Sequence, residues 1–312
     1  MSSVSSWSLP FSLLLACALC AFAPDAAAVK VERDRTAPQV QPQPPKPEAA
    51  STVNSAAPEL PKLTADEIAQ RNAQARGGLA AWRAVQSLEI SGLLDAGGKG
   101  NARLPFTLQM KRPHYQRVAI EFQGQTAVQV YDGQNGWKLR PFLNRMDVEP
   151  FSEEETQRLA HQDDLDGPLI DYSAKGSTLE LDGTEMVEGK PNYRLKLTMK
   201  DGTVRRIWID GTTFLESKVE GNPRRLDGRM RRVENTLRDY RKVGDVLIPF
   251  VSESKAETAP VRKMTVEKVV LNPGLEDRVF GKPEPPVQTS SQAARATPAT
   301  SAIAHPPAAA SK

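Results

Sequence analysis

From Leu88 to Leu271 the chain alternates apolar and polar residues with a period of two, as strands that bury one face do. Leu104, Phe106, Leu108 and Met110 alternate with Pro105, Thr107 and Gln109. Val118, Ile120 and Phe122 alternate with Ala119 and Glu121. The same parity returns in Tyr193, Leu195 and Leu197, in Ile207 and Ile209, and in Val246, Ile248 and Phe250. Asp182-Gly183, Asp201-Gly202, Asp210-Gly211 and Asp227-Gly228 separate runs of this kind, and Asp-Gly between alternating runs is a strong hairpin signal. About eleven strands succeed one another in this way, nearly all joined by hairpins. A sheet wetted on one side is typically antiparallel.

Two stretches depart from the period. Thr64 and Glu67 have the spacing of a capping box and predict a helix start. Ile68, Ala75, Leu79 and Trp82 recur at helical spacing, with a bend at Gly77-Gly78. Between Phe151 and Tyr172, Ser152 and three Glu predict a second helix start, and Gly167-Pro168 ends or divides that helix. An open sheet of so many strands curls, and its apolar face has to be closed or covered. The expected fold is therefore mainly β with some α (α+β). It is a strongly curved antiparallel half-barrel of about eleven strands, covered by a helical lid made from the N-terminal helix and residues 152–172. The pattern leaves open whether the interior is a packed core or an apolar cavity.

Both ends of the 312-residue chain differ in character. Residues 1–28 read as a secretory signal peptide, with an apolar run Leu9–Ala23 and small residues at Ala26-Ala27-Ala28. Both cysteines, Cys17 and Cys20, fall inside it, so cleavage would leave a mature chain without a thiol. Leu14-Leu15-Ala16-Cys17 is the alternative, a lipidation site at Cys17, and fits less well because Leu15 is a poor second residue for it and the apolar run before it is short. Residues 29–62 and 283–312 are rich in Pro, Ala, Ser and Gln and read as a disordered linker and a disordered tail. The fold is expected to occupy residues 63–282.

The net charge of +3 makes no case for nucleic acid. Charge is concentrated from Arg224 to Lys242, where eight basic residues stand against three acidic ones. Arg229, Arg231 and Arg232 could meet lipid phosphates or an anionic membrane surface, or could simply be a solvated hairpin tip. Glu153, Glu154, Glu155, Asp163, Asp164 and Asp166 have no metal-ligand spacing and read as a solvated acidic face. His114 and His161 have no nearby partner in sequence and read as surface or lid residues. There is no Gly-x-Ser-x-Gly, and neither a catalytic residue, a metal nor a cofactor is expected.

Ordered segments of the chain resemble the bacterial LolA-like proteins, many of which are labelled outer-membrane lipoprotein-sorting proteins. They are YDGQNGWKLRPF (Tyr131–Phe142), Asp164–Gly202, RIWIDGTTFLESK (Arg206–Lys218), DYRKVGDVLIPF (Asp239–Phe250) and VVLNPGLEDRVF (Val269–Phe280). The resemblance spans about residues 64–282 and implies a periplasmic half-barrel whose apolar cavity takes up acyl chains of lipid or lipoprotein. It also implies inner- or outer-membrane partner proteins. On that footing the lining comprises Phe106, Leu108, Met110, Val118, Ile120, Phe122, Tyr193, Leu195, Leu197, Ile207, Ile209, Ile248 and Phe250, with Trp137 at the mouth. The alternative is an envelope lipid-sensing or protein-interaction module without a transport role.

Overall fold

A computed structural model describes residues 60–95, 102–141, 145–160, 165–226, 229–257 and 259–285. The signal peptide, Cys17, His161, the acidic pair Asp163 and Asp164, nearly all of the linker and most of the tail lie outside the described residues. Two short helices come first, α1 (Ala65–Ala75) and α2 (Leu79–Ala84). Thr64 caps α1 with the expected box: its hydroxyl accepts from the Glu67 N–H, and Glu67 accepts from the Thr64 N–H at 2.7 Å. The thirteen strands are β1 (Ser87–Asp95), β2 (Arg103–Lys111), β3 (Tyr115–Phe122), β4 (Gln125–Asp132), β5 (Gly136–Arg140), β6 (Arg145–Pro150), β7 (Thr178–Val187), β8 (Lys190–Thr198), β9 (Val204–Asp210), β10 (Glu216–Leu226), β11 (Arg229–Val243), β12 (Val246–Ala256) and β13 (Arg262–Leu271).

They form one antiparallel sheet in the order β6-β5-β4-β3-β2-β1-β13-β12-β11-β10-β9-β8-β7. Chain ends pair in the middle, β1 with β13, so both free edges come from mid-chain. The curved sheet does not close, because β6 and β7 are not neighbours. The connection between them, residues 151–177, joins one free edge to the other.

Among the described residues thirteen strands replace the expected eleven or so. Edge strand β6 is the clearest addition: it has no buried residue and ends at Pro150, as edge strands that resist further pairing do. The expected helical lid is also corrected. Among the described residues of the 152–172 stretch α3 (Glu153–Ala160) is the helical part, and residues 165–176 are mostly turns. Gly167, at φ +84°, and Pro168 together remove the helical backbone there.

Cross-strand register carries a single face through the sheet. Leu88, Ile90 and Leu94 of β1 stand opposite Met110, Leu108 and Leu104 of β2, and Phe106 and Leu108 stand opposite Ile120 and Val118 of β3. On the other side Leu195 meets Ile207, Ile207 meets Val219, and Val219 meets Asn235. The helices pack on this inner face. Trp82 of α2 lies in a cluster with Leu88, Ile90, Phe106, Leu108, Val118, Ile120, Ile248, Phe250, Leu165 and Ile170. Ile68 of α1 lies in a second cluster with Leu169, Tyr193, Leu195, Leu197, Ile207, Ile209 and Val219. Leu60, Leu63 and Ala65 pack on the second cluster, so the folded part already includes Leu60. Each fully buried aliphatic side chain contributes about 1.5–3 kcal/mol.

A C-terminal strap covers part of the opposite face. Asn272, at φ +51°, turns the chain after β13, and its Oδ1 accepts from the Gln86 N–H at 2.7 Å. A single 3₁₀ turn (Asp277–Phe280) then packs on β3 and β4, with Phe280 fully buried against Tyr115. This explains why β4 buries Val128 and Val130 as well as Ala127 and Tyr131: the strand is covered on both faces.

Candidate functional site

The inner face is the candidate site. Phe106, Leu108, Met110, Val118, Ile120, Ile248 and Phe250 meet in the first cluster and Tyr193, Leu195, Leu197, Ile207 and Ile209 in the second. Phe122 is half-buried at the end of β3, on the same face, opposite Gln125. Trp137 does not join them. It pairs with Val130, which pairs with Arg117, and Arg117 points away from the face of Val118. The indole is therefore on the outer face, half-buried, where its parity in β5 puts it. Leu195, Leu197, Ile207 and Ile209 expose no surface at all, so in this state α1 and the 165–172 turns lie directly on them.

Besides the apolar packing of Ile68 and Leu169, polar contacts tie that cover in place. Arg76, at the C-terminus of α1, is buried and sends Nη1 to Glu216 of β10 at 3.2 Å and to the Asp166 carbonyl at 2.9 Å. Its guanidinium lies 4.5 Å from the Trp82 ring centroid, and its carbonyl accepts from Trp82 Nε1 at 3.0 Å. The same carbonyl accepts from the Leu247 N–H at 2.9 Å. Gly77 permits this approach, since a Cβ there would stand 2.1 Å from the Asp245 carbonyl oxygen. Tyr240 donates to Glu216 Oε2 at 3.1 Å, and burial pushes its phenol well above the ordinary range, with the Glu216 charge adding to the shift.

Asp166 anchors the turn segment. Expected on a solvated acidic face, it is instead buried, and it takes Arg112 Nη2 at 2.7 Å and Lys175 Nζ at 2.6 Å. Two cations on one buried carboxylate satisfy the lone pairs that burial would otherwise strand. Glu155 behaves as expected of a helix start: its carboxylate accepts from the Ser152 N–H at 2.7 Å, the Ser152 hydroxyl accepts from the Glu155 N–H at 3.2 Å, and the carboxylate also pairs with Lys138 at 2.7 Å. Tyr172 donates to Asp66 of α1, and burial together with that carboxylate pushes its phenol up to about 12. His114 is exposed, as expected.

Polar residues interrupt the apolar face at β11 and β12. Asn235 shares the parity of Val233 and Leu237, and Ser252 and Ser254 share that of Ile248 and Phe250. Asn235 is 0% exposed and Ser252 1% exposed. Neither Asn235 Oδ1, Asn235 Nδ2 nor Ser252 Oγ has a hydrogen-bond partner among the described residues. An unmet buried polar group costs about 1–3 kcal/mol, so folded proteins hold few. The signal was visible in sequence as polar residues at apolar parity.

At the β10–β11 tip, Arg229 and Arg232 are exposed, with Met230 between them 54% exposed. Arg231 differs: it is half-buried and pairs with Glu257 at 2.6 Å. Among the described residues no group of three His, Cys, Asp or Glu could hold a metal, and no helix is long and apolar enough to cross a membrane.

No family model and no curated protein matches the chain. Solved structures do. A LolA superfamily protein from Nitrosomonas europaea is similar at 16% identity over 71% of this chain and 99% of that one, with a TM-score of 0.47. A DUF1329 family protein from Desulfovibrio piger is similar at 13% identity over 70% and 97%, with a TM-score of 0.49. A candidate outer membrane lipoprotein-sorting protein domain from Vibrio parahaemolyticus is similar at 15% identity over 69% and 95%, with a TM-score of 0.48.

Proposed function

We propose that this chain is a non-enzymatic periplasmic carrier that takes acyl chains of a lipid or lipoprotein onto the inner face of its half-barrel. The observation that supports this most is the apolar inner face of an unclosed sheet, two clusters of buried side chains covered by two short helices and a run of turns rather than by a second sheet. Apolar surface of this kind solvates acyl chains at about 0.8 kcal/mol per buried methylene. Uptake requires α1 and residues 165–172 to move off Leu195 and Ile207, and the contacts to be given up are those of Arg76 and Asp166. Photolysis with a diazirine-bearing fatty acid tests the reading. Labelled peptides should come from the inner face of β2, β3, β8 and β9. Label confined to the outer face, or none, would reject it.

The basic tip is part of the same proposal. Arg229 and Arg232 flank the exposed Met230, a combination suited to an anionic bilayer surface, at about 1 kcal/mol per cation. Reversing both charges should weaken binding to phosphatidylglycerol vesicles by at least about tenfold. Sedimentation with vesicles measures this, and unchanged binding would remove the membrane role. Arg231 is a poor target, because its charge is already answered by Glu257.

Complete burial of Leu195, Leu197, Ile207 and Ile209 favours one other reading, a packed envelope lipid-sensing or protein-interaction module without transport. In the protein-interaction case no acyl probe reaches the inner face, and in the sensing case a probe binds there but is not passed on to an acceptor.

A further inference from the structure

We infer that Asn235 and Ser252 form a polar subsite on the inner face that recognises an amide group attached to an acyl chain. The inference rests on the carrier reading and adds which part of the ligand is recognised and where. Asn235 and Ser252 are on adjacent strands and on the same face, since Asn235 pairs with Ser254 and Leu237 pairs with Ser252. Both side chains are buried, and three of their polar atoms lack a partner among the described residues. Arg262, opposite Ser254 on β13, adds a buried Nη1 in the same condition.

The site is built rather than accidental. Asn235 stands beside Gly221 of β10, where a Cβ would lie 2.8 Å from Asn235 Nδ2 and 3.0 Å from Val233. Gly221 is not among the residues with positive φ, so a turn does not explain a glycine inside this strand. Its missing side chain makes room for the amide, the use of strand glycine where another group approaches closely. The subsite also falls between the two apolar clusters. Val219 on β10 belongs to one and Phe250 on β12 to the other, with Asn235 on β11 between them. An acyl chain can therefore run along apolar surface on either side.

The donor and acceptor inventory selects the ligand. A carboxamide offers two N–H donors and a carbonyl acceptor, and a serine hydroxyl can do both. An ester or a carboxylate presents acceptors alone and leaves Asn235 Oδ1 unmet. An amide presents a carbonyl and an N–H together, and satisfies both ends of Asn235.

Three probes of equal chain length decide the matter: palmitamide, methyl palmitate and palmitate, titrated into the mature protein by displacement of a fluorescent fatty acid. The native protein should bind palmitamide about tenfold more tightly than methyl palmitate. Asn235→Leu should bring that ratio to about one while retaining methyl palmitate binding, and should raise the ligand-free melting temperature, because an unmet polar group has been replaced by an apolar one of similar size. Ser252→Ala should lower the ratio in part. Equal affinities in the native protein would leave the polar atoms to a buried water and overturn the inference while the carrier reading stands. Tighter binding of palmitate would assign the subsite to an anion through Arg262 and overturn it also. Failure of all three probes to bind would sink the carrier reading and this inference together.

Discussion

Arg76→Met is expected to lower the unfolding free energy by about 3–5 kcal/mol, among the largest losses from any single substitution in this chain. The guanidinium and its partner Glu216 are 6% and 5% exposed, so removing one charge strands the other in the interior. The substitution also deletes the bond to the Asp166 carbonyl and the stacking on Trp82. Methionine preserves much of the aliphatic volume, so the loss reports on the polar contacts. The double variant Arg76→Met with Glu216→Leu should recover most of the stability, because well-packed apolar pairs replace buried ion pairs at little cost. Urea denaturation of the single and double variants gives the coupling directly. A single variant as stable as the native protein would show that the cover is held by apolar packing alone. The same pair bears on function, since a cover released at Arg76 should admit acyl probes more readily.

Phe280→Ala is expected to cost about 3–5 kcal/mol, although Phe280 lies nine residues past the last strand. Its ring is fully buried, 5.3 Å from that of Tyr115, and the strap that carries it is tied by Lys111, whose Nζ reaches the Leu275 carbonyl at 2.9 Å. Arg278→Ala in the same turn is exposed and should fall within about 0.5 kcal/mol of the native protein. Urea midpoints that fall for Phe280→Ala and not for Arg278→Ala identify the strap as part of the fold. Equal midpoints would reduce it to a dispensable tail.

The inner face was legible because register preserves parity. Once Leu108 and Val118 are opposite one another, a two-residue period in each strand is enough to put Phe106 and Ile120 on the same side. Trp137 failed that test because β4 carries apolar residues at both parities, and parity alone cannot say which of Ala127 and Val128 faces inward. The doublets Ala127-Val128 and Val130-Tyr131 were the available sign of a strand covered on both faces. The Arg76 network left no such mark. Its partners Glu216 and Asp166 are 140 and 90 residues away, and nothing local distinguishes a buried arginine at a helix end from a solvated one. The turns of residues 165–176 were partly announced by Gly167-Pro168, yet the burial of Asp166 depends on Arg112 and Lys175 arriving from elsewhere. Strand β6 was missed because an edge strand without a buried residue resembles a loop in sequence.

Native mass spectrometry of the purified protein, with organic extraction of whatever accompanies it, tests the central claim most directly. The carrier account predicts a bound species that extracts as a lipid or an acylated protein and that exchanges with added fluorescent fatty acid. A clean ligand-free mass, together with no uptake of the fluorescent fatty acid, would contradict it and leave the inner face as a packed core.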